Sequence, residues 1–563
     1  MKISRRTTLK MLAATAGAMV LPKTFGDLAA RAQTTAPAAE APVPPAPTPI
    51  VAPAGWGVAD GPFKPSWDSL SAYQVPDWYR DAKLGIWAHW GPQCQPEMGD
   101  WYAQKMYQFN SPIYKFHVEK YGHPSKFGFK DVINEWKADQ WDPAALVALY
   151  KKAGAKFFSA MANHHDNLDM WDSTYQPWNT INVGPKKNII GGWEKAAREA
   201  GLKFGISCHG SHTWDWLQVS QGSDTSGPLK GVPYDGVMSK ADGKGLWWDG
   251  LDPQDLYAQY HARGRWGWNL SPIGGSPPVA KDYVEKFFNR IADLIQKHNP
   301  DLLYFDDTVM PIYPSTDVGL RIAAYLYNTN LARNGSLQAV MTGKGLSAAQ
   351  RKAILLDVER GVTNGGEVLP WQTDTCIGNW HYQRSLFEQH KYKTALQVVQ
   401  MFIDIVSKNG NLMLNIPVRG NGTIDDDELK VLQGLTSWIG PNGEGIYGTR
   451  PFKVYGEGPS TITQARGQFG GARDVRPYTS EDVRFTSKGD VVYAFIMVWP
   501  ESNQATIKSL AKGSENFPKE VARVELLGMD AQLGFTRDAT GLAVILPPQM
   551  RSQYPCALKI TPA

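Results

Sequence analysis

One local pattern recurs along this chain: a helix-forming stretch, a stop signal, a short apolar run, and then a polar cluster. Residues 143–153 have helical composition and end at Gly154, and residues 155–161 then form an apolar run that enters Asn163-His164-His165-Asp166. Residues 194–200 lead through Gly201 into the run 203–208, which meets His209 and His212. Residues 283–298 stop at Asn299-Pro300, and the run 301–305 ends on Asp306-Asp307. A glycine or Asn-Pro stop after a helix, followed by a four- to six-residue apolar segment, reads as a βα repeat with buried parallel strands. Such repeats close into a (β/α)8-type barrel, whose chemistry sits at the C-terminal ends of its strands. The residues that end the apolar runs are therefore the first candidates for function.

Other segments fit the same frame. Residues 84–91 read as the first strand, with His89 and Trp90 at its exit; residues 337–342, 353–359 and 412–416 read as later strands, and 394–408 as a helix. Residues 216–281 break the regularity with many Gly, Pro and Trp residues, and a loop of that length is expected to border the cleft. Past Thr449 the pattern changes to short alternating segments, among them 491–498, 521–527 and 542–546, as in a β-sandwich. The reading is a catalytic barrel over 55–449 and a sandwich domain over 450–563.

Two segments stand outside this fold. Residues 1–32 carry Ser4-Arg5-Arg6-Thr7-Thr8-Leu9-Lys10, an apolar run from 11 to 21 and Ala30-Arg31-Ala32, the signature of a twin-arginine-type secretory signal. The apolar run is too short to span a bilayer, so the mature chain is expected in the periplasm or outside the cell, with no membrane attachment. Residues 33–54 are a Pro/Ala-rich spacer that cannot bury a core.

A formal charge of +4, from 58 basic and 54 acidic residues, is too small and too dispersed for a nucleic-acid partner. Cys94, Cys208, Cys376 and Cys556 lack metal-ligand or disulfide spacing. Adjacent His164 and His165, read as strand residues, would point to opposite sides, which counts against a metal site. The expectation is no metal and no cofactor. Imidazoles and indoles around a carboxylate suit a ligand rich in hydroxyls, and a pair of carboxylates is the usual equipment of glycoside hydrolysis.

Residues 78–91 with Gly99-Asp100-Trp101-Tyr102, residues 156–173, and Asn411-Leu-Met-Leu-Asn-Ile-Pro417 resemble the α-L-fucosidases of glycoside hydrolase family 29. Residues 419–424 and 438–450 add to the likeness, which covers about residues 70–455. The resemblance implies a retaining exo-glycosidase that releases terminal α-L-fucose from oligosaccharides or glycoconjugates. It places the nucleophile at Asp306, sugar-binding histidines at His89, His164 and His165, and Trp90, Asp100 and Trp101 near the sugar. His209, Tyr304 and Trp371 complete the expected substrate-binding set, with His209 in a segment where relatives commonly carry Tyr and Tyr304 where an indole is frequent. Asp307 is expected to hydrogen-bond or cap. Where many relatives have Trp-Glu this chain has Trp371-Gln372, and an amide cannot donate a catalytic proton. Glu359 is therefore the first choice for the acid/base, with Asp374 and Glu367 behind it. These departures leave open a glycosidase for a related L-sugar such as L-galactose, or a non-catalytic glycan-binding protein.

Overall fold

The structure, a computed structural model, describes residues 59–461 and 477–563. The leader and spacer readings lie outside the described residues. Eight parallel strands close into a barrel in chain order: β1 (Leu84–Ala88), β2 (Phe157–Asn163), β3 (Lys203–Cys208), β4 (Leu302–Phe305), β5 (Val340–Lys344), β6 (Leu355–Asp357), β7 (Trp371–Cys376) and β8 (Gly410–Asn415). Closure is by β8 on β1, where Leu84 pairs with Leu412 and Trp87 with Asn415. Nearly every barrel-strand residue is buried, as a sheet with helices outside and packed side chains inside requires.

Alternation along each strand sorts the residues into two cores. Trp87, Phe157, Leu302, Tyr304, Val340, Leu355 and Met413 fill the barrel interior. Their strand neighbours Ile86, Phe158, Leu303, Met341, Trp371, Leu412 and Leu414 face the helical layer. That layer includes Pro143–Lys152, Ile189–Glu199, Lys281–His298, Val318–Asn334, Ala395–Ser407 and Asp426–Asn442. Their N-termini are capped as the sequence dictates: Asp142 accepts from the Ala145 amide, Asn188 from Gly191, and Thr394 forms a capping box with Gln397.

The second half of the barrel departs from an ideal βα repeat. A single 3-10 turn, Gln350–Lys352, connects β5 to β6, and the β6–β7 connection at 358–370 has no helix. Three boundaries differ from the sequence reading. The fifth strand begins at Val340, not Leu337, because the Gln338 amide bonds to the Asn330 side chain and the ladder starts with the Val340 amide on Asp301. The sixth shrinks to three residues. β7 was not read as a strand at all: Trp-Gln-Thr-Asp-Thr-Cys has no apolar run, because its inward residues Gln372 and Asp374 belong to a polar layer.

The C-terminal domain has a five-stranded sheet, ordered β13-β16-β11-β10-β9, and a three-stranded sheet, β12-β15-β14. Their strands are β9 (Arg450–Glu457), β10 (Val483–Lys488), β11 (Val491–Ile496), β12 (Gln504–Ile507), β13 (Val521–Leu526), β14 (Phe535–Asp538), β15 (Gly541–Ile545) and β16 (Cys556–Pro562). β11 is buried on both faces. Val492, Ala494 and Ile496 enter the sandwich core, while Tyr493 and Phe495 pack into the barrel's core, a period-2 split. The Trp438 indole donating to the Pro555 carbonyl at 2.7 Å and the Arg484–Asp404 ion pair at 2.6 Å tie the two domains. The four cysteines are buried and unpaired. Among the described residues, no helix is long and apolar enough to cross a membrane.

Candidate active site

The interior rows of the barrel continue one step past the strand ends, and that step carries the polar groups. On β4 the inward series 302, 304 leads to Asp306; on β1, Trp87 leads to His89; on β3, Ser207 leads to His209. On β5 the series Val340, Thr342 ends at Lys344, and on β6 Leu355 and Asp357 lead to Glu359. Glu359 sits on the helix-free connection, pinned there because the Thr373 hydroxyl lies 2.7 Å from the carbonyl oxygens of both Val358 and Gly361 and shares its one proton between them, and the Arg360 amide donates to the Asp374 backbone carbonyl at 2.8 Å.

Lys344 is the hub. Its ammonium nitrogen lies 2.5 Å from Asp306 Oδ1 and 2.5 Å from Glu359 Oε2. The two carboxylate oxygens are therefore separated by at most twice that distance, about 5 Å, close to the roughly 5–5.5 Å between the carboxyls of retaining glycosidases. The electrostatics differ at the two ends. Burial works to raise the Asp306 pKa, but Lys344, helped by the His209 imidazole, more than offsets it, leaving the group well below the usual carboxylate value. Glu359 is pushed up to about 7 by burial and by the charges of Asp306 and Asp374, against the pull of Lys344. One carboxyl is thus held ionised while the other keeps its proton up to about neutral pH, where it titrates, the division of roles that a nucleophile and a general acid require. The sequence reading did not single out Lys344. The apolar run ends at Thr342, two residues short of Lys344, and only the observed extent of β5 to Lys344 puts this residue on the inward row.

A neutral imidazole cluster faces these acids. His89 has ring centroids 5.1 Å from His164, 5.0 Å from His209 and 4.6 Å from His381, and neither of its ring nitrogens has a partner. His209 and His381 are also buried; the Nε2 of each has no partner, while the Nδ1 of each faces a carboxylate, Asp306 at 3.4 Å and Asp100 at 3.6 Å. Burial lowers the pKa of His89 and His164 well below the usual value and that of His165 to about 4. His209 stands 3.4 Å and His165 3.6 Å from Asp306 Oδ2. The His165 Nδ1–H donates to the His209 carbonyl at 2.8 Å, which leaves Nε2 as an acceptor beside the carboxylate. Buried polar atoms without partners are costly, and here they line one side of the acid pair, where sugar hydroxyls would complete them.

His164 and His165 do not diverge as strand neighbours would. Both lie beyond the end of β2, and the turn there brings their rings to 4.2 Å, so the orientation argument against a metal fails. Nitrogen atoms of His89, His164 and His209 come within 4.8 Å of one another. The Gln93 carbonyl accepts from the Ala103 amide and its NH2 donates to Asp166, so the same NH2 must donate to His164 Nδ1, at 2.7 Å. His164 Nε2 then carries the proton and is a donor to an oxygen, not a ligand for a cation.

The remaining expected residues divide. Trp101 stands edge-on to His165 at 6.5 Å, with Trp266 of the Trp-rich insertion 5.7 Å away, and Trp268 stacks on His212 at 4.1 Å; the insertion therefore borders the cleft. Asp100 accepts from the His381 amide at 2.8 Å and positions that histidine. Asp307 accepts from the Ser211 hydroxyl and pairs with His212 at 3.1 Å, as a supporting neighbour. Three of the expected substrate-binding residues lie away from the pocket, two by facing and one by depth. Trp90 has outward parity, donates to the Arg419 carbonyl and packs on Trp136 and Trp141 behind the barrel wall. Trp371 also faces the helices and donates to the Lys408 carbonyl. Tyr304 points inward but lies a layer below the acids, its hydroxyl committed to Asp374 at 2.8 Å. Among the reserve acids, Glu367 is paired with Arg351 at 2.9 Å and Asp374 lies wholly buried beneath the site. Gln372 donates to Asp357 at 2.8 Å, also below the pocket.

Comparisons with known proteins agree with this architecture. The human plasma α-L-fucosidase is 26% identical over 513 residues, covering 88% of this chain and 90% of that protein. The rat tissue α-L-fucosidase is 24% identical over 506 residues, with 88% and 90% covered. Among solved structures, Thermotoga maritima α-fucosidase in complex with a mechanism-based inhibitor superposes with a TM-score of 0.65 at 23% identity, covering 88% of this chain and 99% of that one. Isoenzyme 1 of the α-L-fucosidase from Paenibacillus thiaminolyticus gives 0.57 at 19% identity, with 86% and 98% covered. The family model for α-L-fucosidase matches residues 52–444, and that for the α-L-fucosidase C-terminal domain matches 476–561. The chain belongs to the α-L-fucosidase family of glycoside hydrolases.

Proposed function

We propose that this enzyme releases terminal α-L-fucose from fucosylated glycans by double displacement, with Asp306 as nucleophile and Glu359 as acid/base. The observation that carries the assignment is the shared contact of both carboxylates with Lys344 at 2.5 Å, which sets them within about 5 Å of each other. It also favours hydrolysis over the glycan-binding reading that Gln372 left open. Asp306 attacks the anomeric carbon as the Glu359 carboxyl proton passes to the departing oxygen, giving a fucosyl ester on Asp306 and a Glu359 carboxylate. Glu359 then takes a proton from water, whose oxygen displaces Asp306 and restores both groups with net retention. Lys344 keeps one charged partner throughout. Before the first step this is Asp306; afterwards Asp306 is an uncharged ester and Glu359 has become the carboxylate. The net charge of the pair is unchanged, so the ammonium needs no rearrangement of solvent. The His165 Nε2 acceptor and the His164 Nε2–H donor supply opposite hydrogen-bonding roles for ring hydroxyls.

Glu359→Gln tests the acid. Turnover of a fucosylated oligosaccharide, whose leaving group needs a proton, is expected to fall by about 10²–10⁴-fold. Fucosyl fluoride, which needs none, should be attacked almost normally. The alkaline limb of kcat/KM, set by a group titrating near 7, should vanish in the variant. Native rates on the oligosaccharide would place the acid elsewhere.

We further propose that the Arg5-Arg6 leader directs export in the folded state. Replacing both arginines with lysine should leave full-length precursor in the cytoplasmic fraction; normal export of the variant would refute the leader assignment.

A further inference from the structure

Below the acid pair, β5, β6 and β7 set Lys344, Asp357 and Gln372 side by side in register. Asp374 follows two residues up β7 on the same interior face. The Tyr79 hydroxyl donates to Gln372 Oε1 at 2.6 Å, which orients the amide so that its NH2 donates to Asp357 Oδ1 at 2.8 Å. The Tyr304 hydroxyl donates to Asp374 Oδ2 at 2.8 Å. One oxygen of each carboxyl is therefore accounted for. The other two, Asp357 Oδ2 and Asp374 Oδ1, are buried without a partner, on carboxyls that come from neighbouring positions of the adjacent strands β6 and β7. Two ionised carboxylates cannot be left facing one another in a closed interior, whereas a single proton between them satisfies both orphan oxygens.

We propose that Asp357 and Asp374 share one proton and act as a single fixed negative charge, a positioning unit that anchors Lys344 from below and keeps Glu359 protonated. This rests on Glu359 being the acid/base. The charged and titratable groups around the unit are Lys344 from β5, Tyr304 and Asp306 from β4, Glu359 and Arg360 from the β6–β7 connection, and Tyr79 from below. Without the shared proton, four carboxylates would stand against Lys344 and Arg360. Burial and the neighbouring Asp374 raise the Asp357 pKa well above the carboxylate range, and the Asp374 charge contributes to raising that of Glu359.

The geometry dictates an unusual mutational pattern. In Asp357→Asn the new amide accepts from Gln372 and donates to Asp374; in Asp374→Asn it accepts from Tyr304 and donates to Asp357. Each single variant thus loses the proton and keeps the charge, whereas the double variant loses the charge. The test pairs two readouts on the full-length enzyme. Infrared spectra with carbon-13 at the aspartate side-chain carboxyl, recorded well above the Glu359 value of about 7, should show one protonated-aspartate band in the native enzyme, absent from each single variant. The label excludes the glutamates. The alkaline limb of kcat/KM should hold its position in both single variants and move to lower pH by about one to two units in the double. A native enzyme with no such band overturns the shared proton without use of any variant. An unmoved limb in the double variant, or equal shifts in the singles, overturns the tuning role. If the limb survives in Glu359→Gln, the acid assignment fails instead, and the band still decides the proton sharing.

Discussion

Asp306→Gly is expected to remove about 10⁴- to 10⁶-fold of kcat on an aryl α-L-fucoside while leaving the melting temperature near that of the native enzyme. The catalytic loss is large because no other carboxylate occupies the interior row at the end of β4, and Glu359 is the separate carboxyl assigned to proton transfer. The fold should tolerate the change because Lys344 keeps Glu359 as its counter-ion, so no buried ammonium is left unpaired. Azide enters the space the carboxylate occupied and attacks from the same face. The fucosyl azide it forms has undergone one displacement, so its configuration is inverted relative to the substrate. Measuring residual turnover, azide dependence and product configuration by NMR checks all three. An aryl fucoside hydrolysed at the native rate by this variant would end the nucleophile assignment.

Lys344→Met should be nearly as damaging, with kcat/KM lower by about 10²–10³-fold, the cost of removing one preorganised charge from the transition state. The sign of the pH effect follows from its neighbours. Lys344 depresses the pKa of Asp306 and opposes the elevation of Glu359. Without it both values rise, so the acid limb and the alkaline limb of the profile both move to higher pH. Breaking a buried ion pair from one side costs about 3–5 kcal/mol, and here the loss in melting temperature should be greatest at high pH, where the two carboxylates cannot relieve their repulsion by taking up a proton. Lys344→Arg keeps the charge but replaces a point ammonium with a wider planar fork, and should fall between. A Lys344→Met enzyme with a native pH profile would show that the ammonium does not couple the two acids.

Much of this was legible from residue order. The helix–stop–strand repeats located β2 to β4, and the Asp-Asp terminus of β4 marked a strand end with two candidate acids, of which the family resemblance selected Asp306 as the expected nucleophile. The sandwich was equally plain in the alternating runs beyond Thr449. β7 escaped detection for the same reason that makes it interesting: its inward side chains, Gln372 and Asp374, are polar and hydrogen-bonded to β4 and β6, so no hydrophobic pattern survives. The expectation that His164 and His165 would diverge assumed that the strand continued, whereas the turn after Asn163 converges their rings.

Parity drew the finer line. Asp306 and Tyr304 share a face of β4 by simple alternation, and the same rule turns Trp90, Asp307 and Trp371 away from the barrel axis. Sequence by itself therefore determined the barrel, the sandwich and the place of Asp306 at a strand end, since each depends on contacts within one strand or between a strand and its adjoining helix. Only the tertiary structure decided which groups meet that nucleophile. Lys344, Asp357 and Asp374 arrive from three other strands and meet Asp306 and the expected acid Glu359 in a layer set by the extent of β5, by the register of β5, β6 and β7, and by a connection that lacks its helix. Those are properties of how the sheet closes, to which side chains far apart in the chain contribute jointly and no single segment carries a signal.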